Sequence, residues 1–306
     1  MINIISWNCR GARKPATRRY LKALIAAHSP VAVCLLETRI SQVSRRDVDR
    51  LIGRHWDYTY VPSEGKSGGI ILLWLSQFIS TTVLIVQKQF LVANISLSNK
   101  ENWVFAAVYA HKDYLVRRQI WDGISTLLHD DTPTIIAGDF NCILSQADKR
   151  GGKSFKDSLA VTEFANWIAV SDLHDVWSDG PRYTWCNNKS GPARIWARLD
   201  RVFLNSCALT TFAGSSVSHL SRVASDHCPL LLHLAHIAFK PQGAQLKFED
   251  MWLSYVEAHS VVVKAWHKPC QGSPSTVLNR KCYRTLRSLK FYLQKDDKNP
   301  AKCFCT

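Results

Sequence analysis

Polar side chains end, open or interrupt an apolar, strand-like run at six places in the first 230 residues, and this feature constrains the fold most. Asn8 follows the run 2–7, and Glu37 follows 31–36. Tyr109 closes 103–109, with His111 just beyond. Asp139 and Asn141 follow 134–137 within Gly138-Asp-Phe-Asn141. Asp200 lies in the run 195–204, and Asp226-His227 precedes 230–234. An apolar strand that stops at a carboxylate or carboxamide costs stability if that group is buried unpaired. Several such ends are expected where a sheet presents an active site.

The rest of the pattern supplies the layers. Apolar periodicity predicts a helix at about 17–27, with Tyr20, Leu21, Leu24 and Ile25 on one face and Pro30 to stop it. Others are expected at about 41–52, at 114–128 behind the capping Asp113, and at 158–170. Further strands are expected at 58–61, 69–75, 81–86, 90–97 and 183–186. Strands dominate, and helices intervene twice in each half. The expected fold class is α/β: two packed, mainly antiparallel sheets with outer helices. The strand order does not follow from the sequence.

Composition shifts near residue 240, dividing a domain of residues 1–239 from a tail of 240–306. The tail holds 12 Lys and Arg against 5 Asp and Glu, with helical patterns at about 249–266 and 275–293. It reads either as a basic helical tail with a solvated face or as an arm adding phosphate contacts. The whole chain carries a net charge of +15, which points to a polyanionic partner, nucleic acid first. No apolar run reaches the ~18–20 residues of a membrane helix. The start, MINIISW, lacks the pattern of a secretory signal. Ten cysteines without a C-x-x-C pair give no support to a zinc ribbon and fit a reducing compartment. A nuclear or cytoplasmic protein, neither secreted nor membrane-bound, is expected.

Taken singly, each polar strand end has an ordinary explanation. A lone Glu after a strand is more often a cap, Asp-His a turn, and Gly-Asp-Phe-Asn a tight turn bonding its own loop. Their conjunction is more specific. Oxygen ligands such as Glu37 suit Mg²⁺ or Mn²⁺. Asp139 is suited to orient and deprotonate a water. His227 paired with Asp200 can stabilise charge on a phosphate oxygen, the carboxylate fixing the imidazole. Asn8, Asn141 and Tyr109 can hold phosphate oxygens or the water. This inventory fits metal-assisted phosphodiester hydrolysis with no tightly bound organic cofactor.

The ordered set Trp7-Asn8, Leu36-Glu37-Thr38, Gly68-Gly69, Val108-Tyr109, Gly138-Asp139-Phe140-Asn141, Arg198-Leu199-Asp200 and Ser225-Asp226-His227 resembles the endonuclease/exonuclease/phosphatase superfamily. Trp7-Asn-Cys-Arg-Gly11, Lys66-Ser-Gly-Gly69, Tyr183-Thr-Trp-Cys-Asn187 and Ser225-Asp-His-Cys-Pro229 narrow the likeness. They are similar to the apurinic-type endonuclease domain of plant LINE-type (non-LTR) retrotransposons, over about residues 1–236. The resemblance implies a four-layered α/β sandwich and one essential divalent metal. It implies Glu37 as the main metal ligand, helped by Asn8, with Asp226 as a further candidate. Asp139, beside Asn141, is the implied water-activating or water-orienting group. A His227–Asp200 pair is implied at the scissile phosphate, with Tyr109 supporting the transition state. The implied product is a DNA nick with a free 3′-hydroxyl.

Two departures matter. Relatives that repair abasic sites carry Asp two residues after the Asn, where this chain has Arg10. A two-metal scheme is weakened, and Arg10 either meets the phosphate or turns to solvent. No Tyr-x-Asp-Asp polymerase motif occurs, and the segment from Phe248 onward resembles the linker before a reverse transcriptase. The chain thus reads as such an element truncated before that domain or decayed, or as a domain-only gene product. Arg10, His111, Arg13, Lys14 and Arg18 are the candidates for substrate binding. Two other readings stand beside DNA nicking: a phosphatase of phosphoinositides or other small phosphoesters, and an inactive nucleic-acid-binding remnant. Target preference and oligomeric state are left open.

Overall fold

Side chains alternate faces along a strand, so a strand that is apolar on both faces must be covered on both. β1 (Ile2–Asn8) is such a strand: Ile4 packs into one core and Ile5 into another. The computed structural model describes residues 2–65, 67–97, 101–129, 131–176, 178–235, 256–270 and 277–289, the last without 279, 283 and 287. The chain divides into two compact units, 1–237 and 238–306.

In the first unit β1 is followed by α1 (Pro15–His28), β2 (Ala32–Leu36), α2 (Arg45–Leu51), β3 (Trp56–Glu64), β4 (Ser67–Leu75), β5 (Ile79–Gln87), β6 (Phe90–Leu97) and β7 (Asn102–Tyr109). Then come α3 (Tyr114–Ser125), β8 (Thr134–Asp139), β9 (Lys149–Arg150), α4 (Leu159–Val170), β10 (Leu173–Asp175), β11 (Ser178–Asp179) and β12 (Trp185–Cys186). The unit closes with β13 (Trp196–Ala197), β14 (Asp200–Asn205), α5 (Ser206–Thr211), β15 (Ser216–His219) and β16 (Leu230–Leu234).

Among the described residues one sheet has the order β11-β15-β16-β1-β2-β4-β3 and a second β10-β14-β8-β7-β6-β5. Both are mixed and mainly antiparallel, as expected, with parallel pairs β1/β2, β7/β8 and β11/β15. Their inner faces share a core of Ile4, Leu36, Ile70, Leu91, Phe105, Ile135 and Leu232. The outer face of the first sheet packs Ile5, Trp7, Leu35 and Leu73 with Leu21 and Leu24 of α1 and Val48 and Leu51 of α2. The outer face of the second packs Val108, Ile136 and Phe203 with Ile120, Trp121 and Ile124 of α3 and Phe164 and Trp167 of α4. Helix, sheet, sheet and helix make the four layers. In the last layer Trp121 and Trp167 stack with centroids 4.3 Å apart, and Phe140 lies 6.1 Å from Trp121.

Local chemistry moved several expected boundaries. Ser29 closes α1 in a left-handed conformation (φ +45°), one residue before Pro30. The helix expected at 41–52 forms only over α2, because Ser44 and Asp47 build a capping box. Asp47 also accepts two hydrogen bonds from Arg13, which pull its pKa down to about 2. A carboxylate lowered in the folded state stabilises above its unfolded pKa and loses that contribution as pH falls through the folded value. Asp47→Asn is therefore expected to cost about 1 kcal/mol at pH 7. The gap from wild type should close between pH 4 and pH 2, as read by thermal unfolding; a pH-independent gap would contradict it.

The run 195–204, expected as one strand, breaks in two. The Thr184 hydroxyl accepts the N–H groups of Leu199 and Asp200, both at 3.0 Å. β13 instead joins β12 and β9 in a small third sheet. Below it the Arg201 guanidinium, 1% exposed, donates to both Asp148 and Asp175.

In the second unit α6 (Val256–Trp266) forms part of the helix expected at 249–266, whose start lies outside the described residues. The helix expected at 275–293 is helical at its described positions between 277 and 289 and otherwise lies outside them. Arg284 there donates to the carbonyls of Ala265 and Lys268. No helix among the described residues is long and apolar enough to cross a membrane.

Candidate active site

The parallel pairs β1/β2 and β7/β8 each point the carboxyl ends of two strands the same way. Open α/β sheets bind ligands at such ends. Asn8 ends β1, Glu37 follows β2, Tyr109 ends β7 and Asp139 ends β8, with Tyr109 in register with Asp139. The Asn8 carboxamide donates to Asp139 Oδ2 at 2.9 Å, joining the two sheets at their site ends. Gly138 permits the close approach of β7 and β8 here: a Cβ on it would lie 1.9 Å from the Val108 carbonyl oxygen.

Asp139 is 1% exposed. Its Oδ1 accepts the Asn141 N–H at 3.0 Å, and Asn141, in the left-handed region (φ +46°), donates its carboxamide to the Ala110 carbonyl at 2.8 Å. Beside Asp139, His227 Nδ1 bonds Asp200 Oδ2 at 2.9 Å, which leaves Nε2 3.8 Å from Asp139 Oδ2. Burial pushes Asp139 well above the carboxylate range; Asp200 adds to that shift and His227 opposes it. Burial pulls His227 down, but the carboxylates of Asp200 and Asp139 outweigh it and raise the imidazole. Burial, then Glu37 and Asp139, push the Tyr109 phenol up to about 12, so it remains a proton-bearing donor.

A second charged group lies beside this one. Glu37 is left-handed (φ +49°), and the next two N–H groups bond the carbonyls of Gly69 and Gly68, both at 3.0 Å. Glu37 Oε1 accepts Arg39 at 2.5 Å, and Oε2 lies 3.4 Å from Arg10 Nε. The same Arg10 also donates to Asp226 Oδ2, which accepts Trp185 Nε1 at 3.0 Å. Asp226 Oδ1 is buried and has no hydrogen-bond partner among the described residues.

A cavity of about 880 Å³ opens over both groups, lined by Arg10, Glu37, Tyr109, His111, Asp139, Asn141 and His227, with Arg39, Lys88 and Lys112 adding positive charge. Asn8 and Asp200 are buried and reach it through Asp139 and His227. Arg13, Lys14 and Arg18 do not line it. Gly11 turns the chain into α1, Arg13 goes to Asp47, and Arg13 and Arg18 border a separate groove beside α2. Sequence reasoning missed Arg39 and Trp185 as members of the group. Arg39 lay two residues from Glu37, and Trp185 stood inside a quoted motif without a role.

Two donor sets can hold a divalent ion. Asp139, Asp200 and His227 offer atoms within 4.8 Å of one another, but His227 already bonds Asp200. Glu37 and Asp226 offer hard carboxylate oxygens, and the orphaned Oδ1 of Asp226 supplies an acceptor with nothing to accept. That set fits Mg²⁺ or Mn²⁺.

A four-layered sandwich with buried carboxylates and a histidine at its strand ends belongs with a family whose members hydrolyse phosphodiester bonds. The chain belongs to the endonuclease/exonuclease/phosphatase family, whose sequence model matches residues 5–227. Among solved structures it is similar to the endonuclease domain of TRAS1, a telomere-specific non-LTR retrotransposon, with TM-score 0.61 and 14% identity over 78% of this chain and all of that one. It is also similar to the AP endonuclease LMAP from Leishmania major, with TM-score 0.61 and 18% identity over 77% of this chain and 88% of that one. The 3′-5′ exonuclease NExo from Neisseria meningitidis matches with TM-score 0.56 and 16% identity over 76% and 99%. At these identities the likeness concerns the fold.

Proposed function

We propose that the chain is a Mg²⁺-dependent DNA endonuclease that nicks a strand and leaves a free 3′-hydroxyl, as a LINE-type retrotransposon of a plant would require. One observation carries the reading: Asn8–Asp139 meets His227–Asp200, with His227 Nε2 3.8 Å from Asp139 Oδ2, at the cavity that Glu37 also lines. Glu37 and Asp226, helped by Asn8, would hold the ion, which supplies Lewis-acid stabilisation of charge on the phosphate; Mn²⁺ has the same oxygen preference.

Asp139 takes the proton of the attacking water, a task suited to a carboxyl whose affinity for protons is raised by burial. Asn8 and the Asn141 N–H fix that carboxyl. The water oxygen bonds phosphorus, the bond to the 3′-oxygen breaks, and that oxygen takes a proton from bulk water to leave as the hydroxyl. The His227 imidazolium, held by Asp200, faces the charge that develops on the phosphate. The Tyr109 phenol adds a donor. Arg10 and His111 contact the phosphate at the cavity, and Arg13, Lys14 and Arg18 are left for backbone phosphates outside it. The net charge of +15 favours a long polyanion over a small phosphoester. Such a substrate places the action in the nucleus, or in the cytoplasm before import.

Supercoiled plasmid is the test substrate for the full chain. Metal-dependent nicking with ends that a polymerase extends is expected. Phosphate release from inositol phosphates without nicking would favour the phosphatase reading. A folded protein that binds DNA and does neither would be the inactive remnant.

A further inference from the structure

We infer that Arg10 is a tethered cation seated between Glu37 and Asp226, and that a divalent ion enters this set only by displacing it. The inference rests on the reading of those two carboxylates as metal ligands. One guanidinium meets both: its Nε lies 3.4 Å from Glu37 Oε2, and its terminal nitrogen donates to Asp226 Oδ2. Both carboxylate side chains are at least nine-tenths buried, at 9% and 10% exposure. Two such anions side by side repel unless a positive charge separates them.

Neither oxygen of Glu37 is without a cation. Arg39 donates twice to Oε1, and Arg10 lies at ion-pair distance from Oε2, so an ion arriving at either oxygen meets a positive charge already there. Arg10 is the one that also spans to Asp226. Its backbone is built for the position: it is left-handed (φ +47°), a conformation costly for a side-chain-bearing residue, and its N–H bonds Asn8 Oδ1 at 3.3 Å. The flanking residues pin the turn, with the Cys9 N–H on the Leu36 carbonyl at 3.1 Å and the Ala12 N–H on the Thr38 carbonyl at 3.0 Å. The side chain is 39% exposed and lines the cavity, so it has room to leave. A divalent ion and a guanidinium cannot share the same pair of carboxylates without strong mutual repulsion. The guanidinium therefore keeps the ligands together in the metal-free protein and weakens the ion's hold.

Mn²⁺ titration of the full chain, followed by the electron paramagnetic resonance of the free ion at fixed ionic strength, tests the exchange. Arg10→Ala is expected to bind Mn²⁺ at least about tenfold more tightly than wild type, with Arg10→Lys between them. The metal-free Arg10→Ala protein should melt lower than wild type, and Mn²⁺ should raise its melting temperature by more. A purely structural Arg10 would weaken ion binding along with stability. If Glu37→Gln weakens binding while Arg10→Ala leaves it unchanged or weaker, the exchange is overturned and the ligand assignment stands. If Glu37→Gln leaves binding unchanged, the ligand assignment fails and the exchange with it. Should Arg10→Ala not fold, Arg10→Gln carries the same comparison.

Discussion

Asp139→Asn is expected to slow plasmid nicking by about a thousandfold in single-turnover assays while leaving the protein folded. Asparagine has the shape of aspartate, and its carbonyl oxygen can still accept the Asn141 N–H now on Oδ1 at 3.0 Å. It cannot take a proton from water. The substitution removes a carboxylate that is 1% exposed and whose charged form burial disfavours, but it sets an amide N–H against the Asn8 carboxamide that now donates to Oδ2, so unfolding by urea should occur near the wild-type midpoint. Nicking within tenfold of wild type would remove Asp139 from proton transfer.

The largest effect on stability is expected from Arg201→Met, about 3 kcal/mol in urea unfolding. The apolar stem is largely replaced in volume, but the two carboxylates that shared one guanidinium lose it. Asp148, which also accepts the Leu144 N–H at 2.8 Å, is left without a cation, while Asp175 keeps Arg198 at 2.7 Å. Arg201 adjoins Asp200 on β14, so looser packing here reaches the partner of His227. Replacing Asp148 with Leu in the same variant should recover part of the loss, because no unpaired anion then remains beside the new methionine. A cost below about 1 kcal/mol in the single variant would show that the triad contributes little.

The layers were legible in the sequence because each core strand is apolar on both faces, and a strand such as β1 can only lie between two covers. The chemical residues were legible for a related reason: Asn8, Glu37, Tyr109 and Asp139 interrupt apolar runs, where an uncompensated polar group is costly. The pairing of those strands was not legible, since it depends on contacts between residues far apart in the chain. Arg13, Lys14 and Arg18 read as candidates for substrate binding, but beyond the turn at Gly11 Arg13 and Arg18 border the groove beside α2. The role of Arg10 itself could not be read, because it depends on a left-handed backbone and on Asp226, 216 residues away. The split of the run 195–204 was hidden because the group responsible is the hydroxyl of Thr184, in a different segment.

The stacked indoles behind β8 have an optical consequence. At 4.3 Å, with ring planes 20° apart, Trp121 and Trp167 do not absorb as separate chromophores. Their transitions couple, and the circular dichroism of the pair belongs to the geometry of the stack rather than to either residue. Phe140, next to Asp139 in the chain, packs against the same stack. Small movements of the segment that carries Asp139 thus have a path to a signal distinct from that of the other tryptophans, and the protein carries its own spectroscopic reporter behind that carboxylate.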